Sequence, residues 1–147
     1  MPFMRKLIVF LLICCVGIAF ADSPLEITIE KQNLETTTFY VDVANTHDKR
    51  ALGLMYVNSL PQDKGMLFIY DKENKVSMWM KNTFIPLDMI FIDENGTITE
   101  IVERSDTRSR STTVSSKPTK YVLEINLGES AKRGIKAGDR IKLPQYN

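Results

Sequence analysis

Cysteine is nearly absent from this chain, and its placement matters more than its number. Both copies, Cys14 and Cys15, lie in an apolar stretch near the N-terminus, so everything beyond residue 21 is cysteine-free. That body can form no disulfide in an oxidising compartment and has to rely on an ordinary hydrophobic core. Histidine is scarcer still: His47 is the single copy. A His-rich metal cluster is excluded, and any histidine triad would hang on that one residue. An excess of charge of either sign is missing too. With Arg5 and Lys6 set aside, 17 basic residues face 18 acidic ones. No basic surplus is available to neutralise phosphates, so no nucleic-acid partner is expected. There is also no G-x-S-x-G, no H-E-x-x-H, no P-loop and no Gly-rich dinucleotide fingerprint, which removes the common hydrolase and nucleotide routes.

The first feature that is present is an address. Arg5 and Lys6 precede an apolar run from Leu7 to Phe20, which ends in Ala19-Phe20-Ala21. A positive start, a short apolar core and a small-residue ending make a secretory signal peptide. A membrane anchor is the competing reading, but the 14-residue run falls short of the roughly 20 residues a spanning helix needs. No charged stop-transfer segment follows. A lipobox wants a small residue before its cysteine, and Ile13 precedes Cys14. The sequence therefore predicts a cleaved signal peptide over residues 1–21 and a single exported domain over 22–147. The location is periplasmic or secreted, with no stable membrane insertion after cleavage.

Hydrophobic period two dominates the body. Leu25, Ile27 and Ile29 alternate with polar neighbours, as do Phe39, Val41 and Val43, and each set predicts a strand with one buried face. Met66 to Tyr70 and Met89 to Ile92 are short continuous apolar runs, as expected of strands covered on both sides. Val76 to Met80 is a further strand candidate after the polar turn Asp71 to Lys75. Asn95-Gly96 predicts a type I′ hairpin that folds Ile92 back onto Ile98. Asn95-Gly96-Thr97 is also a glycosylation sequon, which a bacterial host would leave bare. A late strand is read with Tyr121, Leu123, Ile125 and Leu127 on one face and Glu124 and Asn126 on the other. A tight turn at Gly138-Asp139 leads to a closing strand through Leu143.

Two short helices are expected, one capped by Thr46 and running to Leu54, the other capped by Ser130 and stopped by Gly134. Arg104 to Lys120, rich in Ser, Thr and Arg, reads as an exposed mobile loop. The expected fold class is all-β: an antiparallel β-sandwich or partly open barrel with two short helices.

Val76-Ser77-Met78-Trp79-Met80-Lys81-Asn82-Thr83 is the most informative stretch for chemistry. On a strand Met78 and Met80 share one face, and Trp79 and Lys81 the other. A packing reading makes the methionines core filler and Trp79 the anchor of a second layer, with Lys81 reaching water. A binding reading gathers Trp79, Lys81, Asn82, Asp88 and Glu124 around one site. There the indole would offer a flat apolar face and the polar groups would orient a small molecule, glycan or peptide. A third reading is a Met-based copper site using Met78, Met80 and His47, because thioethers suit Cu(I). A fourth is a hydrolase with Asp88 and Glu124 as an acid–base pair, which requires suitable spacing of the two carboxyls. No cofactor is implied, and a small accessory or binding module is expected rather than an enzyme.

Three blocks carry a family resemblance. They are Ala44-Asn45-Thr46 with Arg50 and Gly53-Leu54-Met55; Gly65-Met66-Leu67-Phe68 with Trp79-Met80-Lys81-Asn82-Thr83 and Pro86-Leu87-Asp88; and Tyr121-Val122-Leu123-Glu124 with Gly128, Gly134 and Gly138-Asp139. From about Ile27 to Leu143 the chain resembles the domain of unknown function 192 family, also called uncharacterised protein family 0127. The resemblance implies an all-β sandwich with short helical insertions. It supplies no reaction, ligand or catalytic residue. The loop from Arg104 to Lys120 departs from the family pattern, which tends to place prolines there.

Overall fold

Residues 23–143 are described by a computed structural model, so the signal peptide expected over residues 1–21 lies outside the described residues. The elements in chain order are β1 (Leu25–Glu30), β2 (Thr36–Ala44), α1 (His47–Leu52), β3 (Lys64–Asn74), β4 (Ser77–Trp79), β5 (Leu87–Ile92), β6 (Ile98–Arg104), β7 (Thr112–Val114), β8 (Thr119–Asn126), α2 (Glu129–Lys132) and β9 (Arg140–Lys142). Seven strands form one sheet in the order β6-β5-β8-β3-β2-β1-β9, and β4 pairs with β7 in a separate ribbon. The all-β expectation with two short helices holds. Among the described residues no helix is long and apolar enough to cross a membrane.

One strand pair departs from the antiparallel expectation. β2 and β3 run parallel, from Tyr40 opposite Lys64 to Ala44 opposite Phe68. The chain reaches β3 by a crossover through α1 and the loop after it, and a crossover rather than a tight turn is what a parallel pair demands. The two ends of the sheet then approach each other. Thr97 bridges Arg140, Ile98 N–H donates to Asp139 O and Ile141 N–H to Gly96 O, both at 2.8 Å. The sheet is thus curled into a half-barrel whose edges meet at one end.

Curling gives the sheet an inner and an outer face, and each has its own core. Ile27, Ile29, Phe39, Val41, Leu67, Ile90, Ile92, Leu123 and Ile125 fill the inner one. Phe68, Met78, Met80, Leu87, Met89, Phe91 and Val122 form the outer one, where β4 and the segment after α1 cover the sheet. β5 feeds both by alternation, so all six of its residues are buried. The continuous apolar run of Met89 to Ile92 follows from that double coverage.

Three local readings need correction. Ile92 does pair with Ile98, but Gly96 alone in this turn has positive φ, whereas type I′ needs two such residues. The Asp93 carboxylate shapes the turn instead, accepting from Asn95 N–H and Thr97 N–H at 2.9 Å each. Thr46 caps α1 as expected, its hydroxyl accepting from Lys49 N–H. Ser130 does not cap α2: it lies within the helix, and Gly128 occupies the cap position with no side-chain hydrogen bond. The segment from Arg104 to Lys120 is largely exposed, as expected of a loop, but it contains β7 and is anchored from inside. Arg104 is only 6% exposed and donates to both Asp106 carboxylate oxygens and to Thr113 Oγ1.

Candidate functional site

The site begins where α1 ends. Gly53 closes the helix at φ 49° and its N–H bonds back to Lys49 O. A β-carbon there would stand 3.1 Å from the Phe68 ring, so both the left-handed backbone and the close ring favour glycine. The chain then passes through Leu54 and Met55 to Tyr56. Tyr56 and Asn82 are both non-glycine residues with positive φ, at 65° and 53°, and they clamp each other. Tyr56 N–H donates to Asn82 O, and Asn82 Nδ2 donates to the Tyr56 hydroxyl at 2.9 Å. Strained backbone of this kind persists only where its surroundings hold it. Here it ties the loop after α1 to the loop after β4.

Between those loops and the outer face of the sheet lies a cavity of about 270 Å³ that opens to solvent. Leu54, Phe68 and Met78 provide apolar wall, Trp79 and Lys81 come from β4 and the residues after it, and His47 and Arg50 come from α1. Tyr70 and Glu124 are supplied by β3 and β8.

Glu124 is the unusual member. It sits in the middle of β8 between Met66 of β3 and Met89 of β5, only 4% exposed. Its carboxyl makes no hydrogen bond or ion pair with any described residue, and its oxygens, unlike the Ser130 hydroxyl, are not wholly sealed off from the cavity. Burial alone pushes its pKa up to about 8, so at neutral pH the group is mainly protonated. Tyr70, whose pKa is pushed up to about 12 chiefly by burial, feels Arg50 pulling it down and Glu124 pushing it further up. The Tyr70 hydroxyl donates to Met78 Sδ at 3.4 Å. The Arg50 guanidinium lies 5.2 Å from the centre of the Tyr70 ring and donates to Ile69 O. Trp79 is 43% exposed, and the Lys81 ammonium rests 5.0 Å from its ring centre.

The expected site residues are therefore divided. Trp79, Lys81 and Glu124 meet at this cavity. Asn82 is adjacent in sequence and spends its amide on Tyr56. Asp88 lies elsewhere. It pairs in register with Ile125 whereas Met89 pairs with Glu124, so the two acids point to opposite faces of the sheet. Asp88 is fully buried and accepts from Gly128 N–H at 3.1 Å and Ser130 N–H at 2.9 Å. Asp88 and Glu124 therefore cannot act as an acid–base pair, because the sheet itself separates them.

The copper trio is also split. Met80 is fully buried in the outer core and does not line the cavity, Met78 does, and His47 stands at the rim with its side chain 91% exposed. Among the described residues no cluster of three or more His, Cys, Asp or Glu is placed to hold a metal. Trp79 does not anchor a second packing layer, since nearly half of it faces solvent. Sequence reasoning missed Arg50 and Tyr70 as wall residues, though Arg50 stands in one of the quoted motif blocks.

This fold and cavity define a small curled-sheet domain with an acid, unpaired among the described residues, on the floor of an open pocket. The chain belongs to the DUF192 family, described as "Uncharacterized ACR", whose model matches residues 27–143. Two solved structures are similar to it. A Sinorhizobium meliloti 1021 protein described as a candidate transcription regulator shares 36% identity and a TM-score of 0.80, over 82% of this chain and 94% of that one. A protein of unknown function from Novosphingobium aromaticivorans DSM 12444 shares 32% identity and a TM-score of 0.76, over 80% of this chain and 83% of that one. No curated protein matches the chain significantly.

Proposed function

We propose that this chain is a small exported binding module that holds a small molecule in the cavity floored by Glu124. Glu124 carries the proposal: a carboxyl 4% exposed, without a partner among the described residues, at the bottom of a cavity that opens to solvent. Burial has stripped most of the hydration from this carboxyl without giving it a partner among the described residues, and a ligand able to bond it would supply one. Trp79 at the mouth adds a flat apolar face, and Lys81 adds charge. Asp88 faces the other side of the sheet, so it cannot work with Glu124 on a molecule in this cavity. The export half rests on Arg5, Lys6, the apolar run and Ala19-Phe20-Ala21.

Trp79 is the single tryptophan, so its emission reports on the cavity directly. Titration with a panel of sugars, short peptides and amino acids should shift that emission for at least one class. Trp79→Ala should abolish binding measured by calorimetry while leaving the fold largely intact. A folded wild-type chain that responds to no member of the panel would sink the binding reading. The export half is checked separately by N-terminal sequencing of the chain recovered from a periplasmic extract, which should begin at Asp22.

A further inference from the structure

The charges around the cavity are arranged by depth and left unneutralised. Glu124 is on the floor. Lys81 and Arg50, both half-buried, stand on the walls. The Lys81 ammonium rests over the Trp79 ring and makes no hydrogen bond with any described residue. Arg50 contacts the Tyr70 ring and one backbone carbonyl. Neither cation forms an ion pair with a described acid, and neither contributes to the raised pKa of Glu124, for which burial is the sole cause. One acid and two cations thus face the same space without pairing, although elsewhere on this protein acids and bases find one another readily, as Arg104 with Asp106 and Arg133 with Glu129 do.

We infer that the cavity takes a small zwitterion of the α-amino-acid class, its ammonium on Glu124 and its carboxylate toward Lys81 and Arg50, a deepening that rests on the binding reading above. Opposite charges a few atoms apart on one ligand match opposite charges at two depths of one cavity, which neither a simple amine nor a simple acid does. The volume, about 270 Å³, lies just below the usual range for drug-sized ligands of roughly 300–1,000 Å³ and suits a molecule of amino-acid size. Leu54, Phe68, Met78 and Trp79 supply wall for an apolar side chain.

The inference carries a proton balance. Glu124 is mainly protonated in the empty site, and pairing with an ammonium requires the carboxylate. Binding near pH 7 therefore releases the Glu124 proton to solvent while the ligand keeps its own. The titratable and charged groups that share the cavity are Tyr70 from β3, His47 and Arg50 from α1, and Lys81 after β4. Met66 and Met89, the neighbours of Glu124 in register, do not titrate.

The test titrates the chain from Asp22 onward with α-amino acids, butylamine, butyrate and glucose, each in two buffers of different ionisation heat. The expected order is amino acid tightest, then butylamine about tenfold weaker, with butyrate and glucose weaker again. Up to one proton should leave per amino acid bound. Glu124→Gln should weaken both amine-bearing probes about tenfold or more and abolish proton release. Lys81→Ala should weaken the amino acids but not butylamine. Butyrate or glucose binding as tightly as amino acids would overturn the zwitterion assignment while leaving the cavity as a binding site. So would amine binding that Glu124→Gln leaves unchanged. Silence from all four probes overturns the assignment as well, and the binding reading falls with it only if the sugar and peptide panel is silent too.

Discussion

Asp88 and Glu124 are buried acids on adjacent strands, one register step apart, and their surroundings are opposite. Asp88 faces inward and its two oxygens are each taken by a backbone N–H at the start of α2. Glu124 faces outward into a cavity, and no described residue bonds its carboxyl. A buried carboxyl that accepts two amide protons is a joint between elements. One that accepts none is a cost the fold carries. The same residue chemistry therefore means structure on one face of the sheet and, under the proposed function, a binding site on the other.

The comparison breaks most visibly at Asp88. Asp88→Ala removes both acceptors from the first turn of α2 and leaves a void in a residue with no solvent exposure. Charged hydrogen bonds contribute about 1.5–3 kcal/mol each, so the loss should be roughly 3–5 kcal/mol in urea unfolding. A loss below about 1 kcal/mol would mean that α2 is held by something else, and the contrast with Glu124 would collapse.

Glu124 should show the opposite behaviour, through pH. Its folded-state pKa of about 8 stands above the reference value of 4.5, so between those values the folded state holds a proton that the unfolded state has released. Stability then falls as pH rises, by up to about 1.4 kcal/mol per pH unit from this one group. Between pH 5 and pH 7.5 the wild type should lose about 3 kcal/mol relative to Glu124→Gln. The difference between the two proteins isolates Glu124 from every other titrating group. Parallel stability curves across that window would show that Glu124 is not held as a proton-retaining acid.

Why the sequence revealed one half of this contrast and not the other is a matter of range. Alternation made β1 and β2 legible, the unbroken apolar run made β5 legible, and Thr46 marked the start of α1, because each signal lies within a few residues. Trp79 and Lys81 were legible as a mixed aromatic and charged pair. Burial of Glu124 was not, since the strand pattern placed it on a polar face. It is buried because β4 and the segment after α1 cover that side, and those contacts span tens of residues. The parallel pairing of β2 and β3 was hidden for the same reason: a crossover leaves no local mark equivalent to Asn95-Gly96. Arg104 was hidden by composition, its neighbours being Ser, Thr and Arg, although its guanidinium is buried.

The smallest effect separates the sequence's account of α2 from the structure's. If Ser130 were the helix cap, as its residue type and position suggest, Ser130→Ala would cost about 1 kcal/mol. In the structure the main chain of Ser130 is what matters, through its N–H to Asp88, and alanine keeps that N–H. The hydroxyl itself is buried and has no hydrogen-bond partner among the described residues, so removing it relieves an unsatisfied group in a helix that prefers alanine. Ser130→Ala should therefore raise stability by about 0.5–1 kcal/mol, read as a higher urea midpoint at unchanged slope. A lower midpoint would restore Ser130 as a cap. Asp88 would then share the start of α2 with the Ser130 hydroxyl, and the sharp division between the two acids would blur on its structural side.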